Sequence, residues 1–127
     1  MSFAAGQRWT YRAPQGFEAS RVVIGAILKF EGSKSIICCS VTGAPRRHAD
    51  GSVDVVTIPF LPMSEEALTA TVVALDGAEE PASVFSEKLH EWTNDPRGLT
   101  TFTVPFDGYL DHLIAHQMAK IVGLSAA

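Results

Sequence analysis

Long apolar runs are missing from this sequence. The longest uninterrupted run covers residues 22–28, which is far short of the roughly 20 residues that a membrane-spanning helix needs. The N-terminal residues also lack the positive charge and the apolar segment of a secretory signal, so nothing in them indicates export. We therefore predict a cytoplasmic protein that does not contact a membrane.

Cysteine is scarce as well. The two cysteines, Cys38 and Cys39, are adjacent in an apolar run, and neighbouring side chains on a strand point to opposite faces, which places them badly for bridging each other. No disulfide framework is indicated, and a reducing compartment fits best. Among Ile36, Ile37 and Val41, both thiols are expected to behave as small buried apolar groups and not as nucleophiles.

Complete catalytic motifs are also missing. The sequence contains no G-x-S-x-G, G-x-G-x-x-G or H-E-x-x-H, and residues 32–35 lack the earlier glycine of a phosphate-binding loop. The length of 127 residues with 46% hydrophobic and 19% charged residues indicates one folded domain over residues 1–127. We therefore predict no catalytic residue and no cofactor, which disfavours an enzyme without excluding one.

What the chain does have is a change of pattern at residues 59–64. The segment before residue 63 holds seven Lys or Arg and four acids, for a net charge of +3, whereas the rest holds three and ten, for a net charge of −7. Part of this split follows from the acids that helices favour near their N-termini. The remainder predicts a mildly basic sheet and acidic helices.

Four strand-like runs precede this boundary. The first alternates polar with aromatic residues, which places Trp9 and Tyr11 on one face. Pro59 and Pro62 cannot donate ladder hydrogen bonds, so they end the fourth strand or keep it at a sheet edge. The predicted strands lie within residues 7–60, at about 7–12, 21–30, 35–42 and 53–60, with turns at 13–16, 31–34 and 43–52.

Helical spacing begins after the boundary. Ser64 followed by two glutamates is an N-terminal cap, and the i, i+4, i+7 spacing of Leu68, Val72 and Leu75 predicts a helix over 64–75. The Thr and Val residues of its second half favour a strand instead. Further along, we predict helices at about 84–94 and 106–122 and a short strand at about 99–104.

These elements predict an α+β fold. We expect an antiparallel meander sheet of four to five strands, strongly twisted or partly barrel-like, because the strand runs follow one another through short turns. Two to three helices with single apolar stripes are expected to pack on one face of this sheet, the last helix being the longest.

Basic and aromatic residues suggest a binding surface. Nucleic acid is disfavoured because the two aromatic rings and the two arginines of the first strand face opposite sides and cannot grip one chain together, and because the net charge is −4. A small anion or an acidic partner remains a hypothesis, beside the ordinary alternatives of a solvated hairpin tip and a filled aromatic core. The candidate ligand-binding residues are Arg8, Trp9, Tyr11, Arg12, Arg46 and Arg47.

Two histidines of the last predicted helix form a possible metal site. His112 and His116 are spaced i, i+4 and can share one ion, with Asp111 adjacent in sequence. A zinc site needs a third protein ligand, and a solvated polar helix face explains the same pattern. The alternative function is therefore a small metal-dependent or histidine-using enzyme centred on this pair.

The stretches GQRWTYRAPQGFEASRVVIGAI and IPFLPMSEEALTATVVAL resemble a group of small, uncharacterised bacterial α+β proteins. The resemblance implies a bacterial, cytoplasmic, single-domain protein and no activity. Together with the missing catalytic motifs, it favours a small binding or interaction domain. The expected partner is a second copy in a homodimer, or an unidentified protein or small ligand.

Overall fold

The computed structural model describes residues 3–13, 15–29, 35–48, 50–81, 83–96, 101 and 103. Strands dominate this part of the chain, and neither helix in it is long and apolar enough to cross a membrane. In chain order the elements are β1 (Gln7–Tyr11), β2 (Arg21–Leu28), β3 (Ile36–Arg47), β4 (Val53–Ser64), α1 (Glu65–Thr71), β5 (Val72–Ala78) and α2 (Phe85–Thr93).

The strands form one antiparallel sheet in the order β4-β3-β2-β1-β5. The first four make the predicted meander, and α1 links the two edge strands, β4 and β5. In a flat sheet these edges would lie about 19 Å apart, whereas the seven residues of α1 span only about 10 Å. The sheet therefore curls strongly, although β4 and β5 do not pair and the described strands do not close into a barrel.

Both faces of the sheet are apolar. Consecutive positions of β2 and β3 are buried, and adjacent strand residues face opposite sides, so Cys39 belongs to a cluster with Trp9, while Cys38 belongs to a second cluster with Phe60. We call these sides the Trp9 face and the Phe60 face. A sheet that is apolar on both sides needs cover on both sides.

The helices provide this cover on opposite faces. In α1, the buried Leu68 packs in the Trp9 cluster, whereas α2 places Phe85 and Trp92 against Phe60, with ring centroids 5.4 and 5.5 Å apart. A Cβ at Gly25 would lie 2.4 Å from the Phe85 ring, so the lack of a side chain there admits α2. The helix predicted at 84–94 is confirmed, but the prediction that the helices share one face is wrong.

The helix predicted over 64–75 is too long. Its cap is confirmed, because Ala67 N donates to Ser64 Oγ at 3.1 Å, but α1 ends at Thr71 and Val72 begins β5, where it pairs with Tyr11. Two β-branched valines at 72–73 suit a strand, and β1 offers an edge on which that strand forms its ladder.

A fifth strand of the described sheet lies at Val72–Ala78, whereas the short strand predicted at 99–104 lies mostly outside the described residues. Of the latter residues, only Thr101 and Thr103 are described, and neither lies in a strand. The longest predicted helix, over 106–122, lies outside the described residues.

β3 and β4 extend beyond their predicted ends. β3 continues to Arg47, and β4 runs through Pro59 and Pro62 to Ser64, since a proline in an edge strand can turn its missing N–H toward the open side. The position of β4 at an edge is confirmed. The connection between the two strands shrinks to residues 48–52.

Candidate functional site

A two-stranded hairpin projects past the rest of the sheet. The pairing of β2 with β3 stops at Arg21 and Thr42, whereas β3 and β4 remain paired from Ala44 and Val56 to Arg47 and Val53. These four successive pairs contain no register shift and are about 13 Å long. We call residues 44–47 and 53–56 the β3–β4 arm.

One side of the arm carries an ion-pair group. Arg46 donates to both carboxylate oxygens of Asp54, at 3.2 and 2.9 Å, and His48 Nε2 lies 3.1 Å from Asp54 Oδ2. The hydrogen bonds from Arg46 and then from His48 lower the pKa of Asp54. Asp54 is therefore ionised, and its negative charge is balanced by the guanidinium of Arg46.

The other side of the arm carries exposed valines. Val53 and Val55 are 40% and 57% exposed, and strand alternation places them opposite Asp54 and Val56. Val56 packs against the Trp9 cluster with the buried Ala44. The arm is thus anchored on one side and presents aliphatic groups on the other.

The outer edge of β4 is open in the described sheet, since β4 ends the strand order. Its second half contains two prolines and a bulge, where residues 59–60 lie opposite Ser40 alone. The stretch 53–57 contains neither proline nor an extra residue. An edge of this kind exposes backbone N–H and C=O groups that can pair with another strand.

The opposite edge, β5, is irregular throughout. Two register shifts each place an extra residue of β5 against β1, and side chains of β1 occupy its backbone groups: Arg8 Nε donates to the carbonyl of Asp76 at 2.7 Å, and Thr10 Oγ1 bonds both polar backbone groups of Ala74. Arg21 donates to the Asp76 carboxylate at 2.6 Å and lowers its pKa.

The structure separates the predicted arginines into two groups. Arg8 joins Asp76 and Glu79, the latter at 3.2 Å, and Arg12 donates to the carbonyl of Ala70. Arg46 lies in the arm. Arg8 is aligned through β2 with Ser40 of β3, which is six residues from Arg46, or about 20 Å along the strand. For Arg47 the described structure gives only a place at the end of β3.

The predicted aromatic residues lie in the core. Trp9 and Tyr11 are each 6% exposed within the Trp9 cluster, so their rings are part of the core and do not form an open binding surface. Ser20 Oγ donates to the carbonyl of Thr42 at 2.7 Å, which uses its only hydrogen, so Tyr11 OH is the donor in its 2.8 Å bond to Ser20. This chain of bonds fastens β1 and β2 to the base of the arm.

The two cysteines are buried as expected. Burial raises the pKa of Cys38 to about 12 and raises that of Cys39 as well. Both thiols are therefore protonated at neutral pH and poor nucleophiles.

The metal hypothesis falls outside the part of the chain that can be described. His112 and His116 lie beyond it, and residues 3–96, apart from the few undescribed positions, contain no group of three His, Cys, Asp or Glu side chains that could hold an ion. The histidine pair thus stays a prediction from sequence.

Sequence reasoning missed Val53 and Val55. They lie at the start of the fourth predicted strand, but the arm is recognised only when the ends of the β2–β3 and β3–β4 pairings are compared. Comparison with known protein families, curated proteins and solved structures finds no match to this chain.

Proposed function

We propose that this protein is a small cytoplasmic interaction domain that self-associates through the β3–β4 arm. The observation that carries the proposal is the exposure of Val53 and Val55 on a regular strand edge that no other described strand covers. Two free buried thiols suit the cytoplasm, because a reducing compartment keeps cysteines unpaired.

The low stability expected of an isolated hairpin supports a partner on the arm. A lone two-stranded hairpin is marginally stable in water, and Val53 and Val55 on its valine side are 40% and 57% exposed, whereas Pro45, which pairs with Val55, is buried. Fully burying one valine stabilises by about 1.5 kcal/mol, and a new strand on the edge of β4 would also satisfy its free backbone groups. Docking therefore stabilises the arm and buries its apolar side in one step.

Binding of an anionic ligand by the arginines is less well supported. Arg8 and Arg46 already contact carboxylates at 3.2 and 2.9 Å, so an anionic ligand would have to compete with Glu79 and Asp54. An uncharged apolar contact through the valines meets no such competition.

Size-exclusion chromatography with light scattering on the full chain tests this function. We expect a dimer whose fraction grows with protein concentration and persists in high salt, because the contact is apolar and salt screens only charges. A monomer at high micromolar concentration, in low and high salt, would contradict the proposal.

A further inference from the structure

We propose that two copies of this chain join by antiparallel pairing of their β4 edges about a twofold axis at Val55. This inference rests on the proposed function and adds the partner, the strand direction and the register. It predicts one continuous sheet across both copies, in which β4 becomes an inner strand over residues 53–57.

The register follows from the residues that would face each other. With the axis at Val55, Val53 lies opposite the partner's Thr57, and Asp54 lies opposite the partner's Val56. Moving the axis to Asp54 would put two carboxylates directly opposite, which destabilises a strand pair. Moving it to Val53 would carry the pairing into the turn at residues 48–52, where the ladder ends.

The extent of the pairing is set by proline. Pro59 cannot donate a ladder hydrogen bond, and the bulge at residues 59–60 twists the edge away from a partner. Pairing is therefore confined to 53–57, a stretch of β4 that contains no proline, no lysine and no extra residue of its own, the register shift at its end placing the extra residue in β3 opposite Thr57.

The charge and the residue types of this stretch suit pairing with itself. Asp54, its one charged residue, is already held by Arg46 at 2.9 Å, so pairing leaves no charge buried without a partner. Val53 and Val55 of the two copies would form one strip of four valines on the side opposite these ion pairs. A second copy thus supplies an uncharged edge of the same chemistry.

Disulfide trapping tests the axis directly. A cysteine at the axis faces its own symmetry mate at the Cβ spacing of a cross-strand pair, about 4.5–5.5 Å, so Val55→Cys should form a disulfide-linked dimer on mild oxidation. Val73→Cys on β5 is the matched control, because the two valines are 57% and 56% exposed. Cross-linking of Val55→Cys no faster than that of Val73→Cys would overturn the register.

Two variants of opposite charge at Val55 test the register separately from the proposed self-association. Val55→Glu and Val55→Lys should each raise the dimer dissociation constant at least about tenfold, because like charges meet at the axis, and mixing the two should restore a heterodimer by light scattering. Restoration also shows that both variants fold. A wild-type dimer that Val55→Glu leaves intact overturns the register alone, whereas a monomeric wild type overturns the proposed function too.

Amide hydrogen exchange tests another occupant of the same edge. Protection of those 53–57 amides that do not donate to β3, in full-length protein diluted until it is monomeric, would show that the chain covers its own edge. That result would overturn pairing with a second copy, which requires protection to appear only on dimerisation.

Discussion

The two edges of the sheet expose similar side chains on different backbones. On β5, Val73 and Leu75 are 56% and 54% exposed, and on β4, Val53 and Val55 are 40% and 57% exposed. The backbone of β5 is interrupted by two register shifts, whereas the arm part of β4 is regular. The two edges therefore differ in the regularity of their backbones and not in the exposure of their aliphatic side chains.

The difference arises from what lies beside each edge. β5 receives Arg8, Thr10 and Arg12 from the neighbouring strand and the residue after it, and these side chains bond the backbone of β5 and the end of α1. In the arm, Arg46 reaches only the side chain of Asp54. No described strand pairs with the outer edge of the arm.

The largest effect should come from the helix that links the two edges. Leu68 of α1 is fully buried in the Trp9 cluster, so Leu68→Ala should lower the free energy of unfolding by about 2–5 kcal/mol. Urea denaturation of the monomer measures it. Val55→Ala, at an exposed position, should change the same quantity by less than about 0.5 kcal/mol. An equal decrease in the free energy of unfolding for the two variants would contradict the assignment of Leu68 to the core and of Val55 to an exposed arm.

Glycine substitutions compare the backbones of the two edges. Gly77 on β5 and Gly51 at the tip of the arm both have a φ of 89°, where an L-residue costs about 1–2 kcal/mol. Gly77→Ala also brings a Cβ within 3.3 Å of Arg8 Nη2, whereas Gly51→Ala meets open space. Thermal unfolding should therefore show the larger loss for Gly77→Ala, and the reverse order would contradict a more constrained β5.

The smallest effect should be acid sensitivity, which both edges share. Arginine hydrogen bonds lower the pKa of Asp54 and of Asp76 below the ordinary value, so each carboxylate stabilises the fold above that value and loses this contribution as pH falls through its lowered pKa. Asp54→Asn and Asp76→Asn should each flatten the decline of the urea midpoint between about pH 5 and pH 3. A decline unchanged in both variants would assign the acid response to other groups.

The sequence predicted the parts of the fold that depend on local patterns. Alternation and turn residues define the meander, Ser64 defines the start of α1, and the Phe85 and Trp92 stripe defines α2. β5 was not predicted because Val72 and Leu75 fit helical spacing, and a regular strand would put them on opposite faces. Pairing with β1, with an extra residue of β5 between them, makes this segment a strand. The local signals conflicted, since the β-branched residues favoured a strand and the apolar spacing favoured a helix.

The candidate site depended on contacts between distant residues. Arg8 contacts Glu79, which lies 71 positions away in the sequence. Whether Arg8 is available to bind an anion could therefore not be predicted from its neighbours on β1. The arm depends on β3 and β4 extending past the start of β2, a relation between three strands that no single run contains. The two apolar faces, in contrast, could have been inferred from β2, because residues 22–24 are apolar without alternation. The polar and aromatic alternation of β1 pointed instead to a sheet with one apolar face.

Amide hydrogen exchange at low and high protein concentration tests the difference between the two edges most directly. The account predicts that the amides of residues 53–57 gain protection as the concentration rises through the dimer dissociation constant, while those of Val72–Ala78 do not change. Concentration-dependent protection of β5 with none on β4 would contradict it.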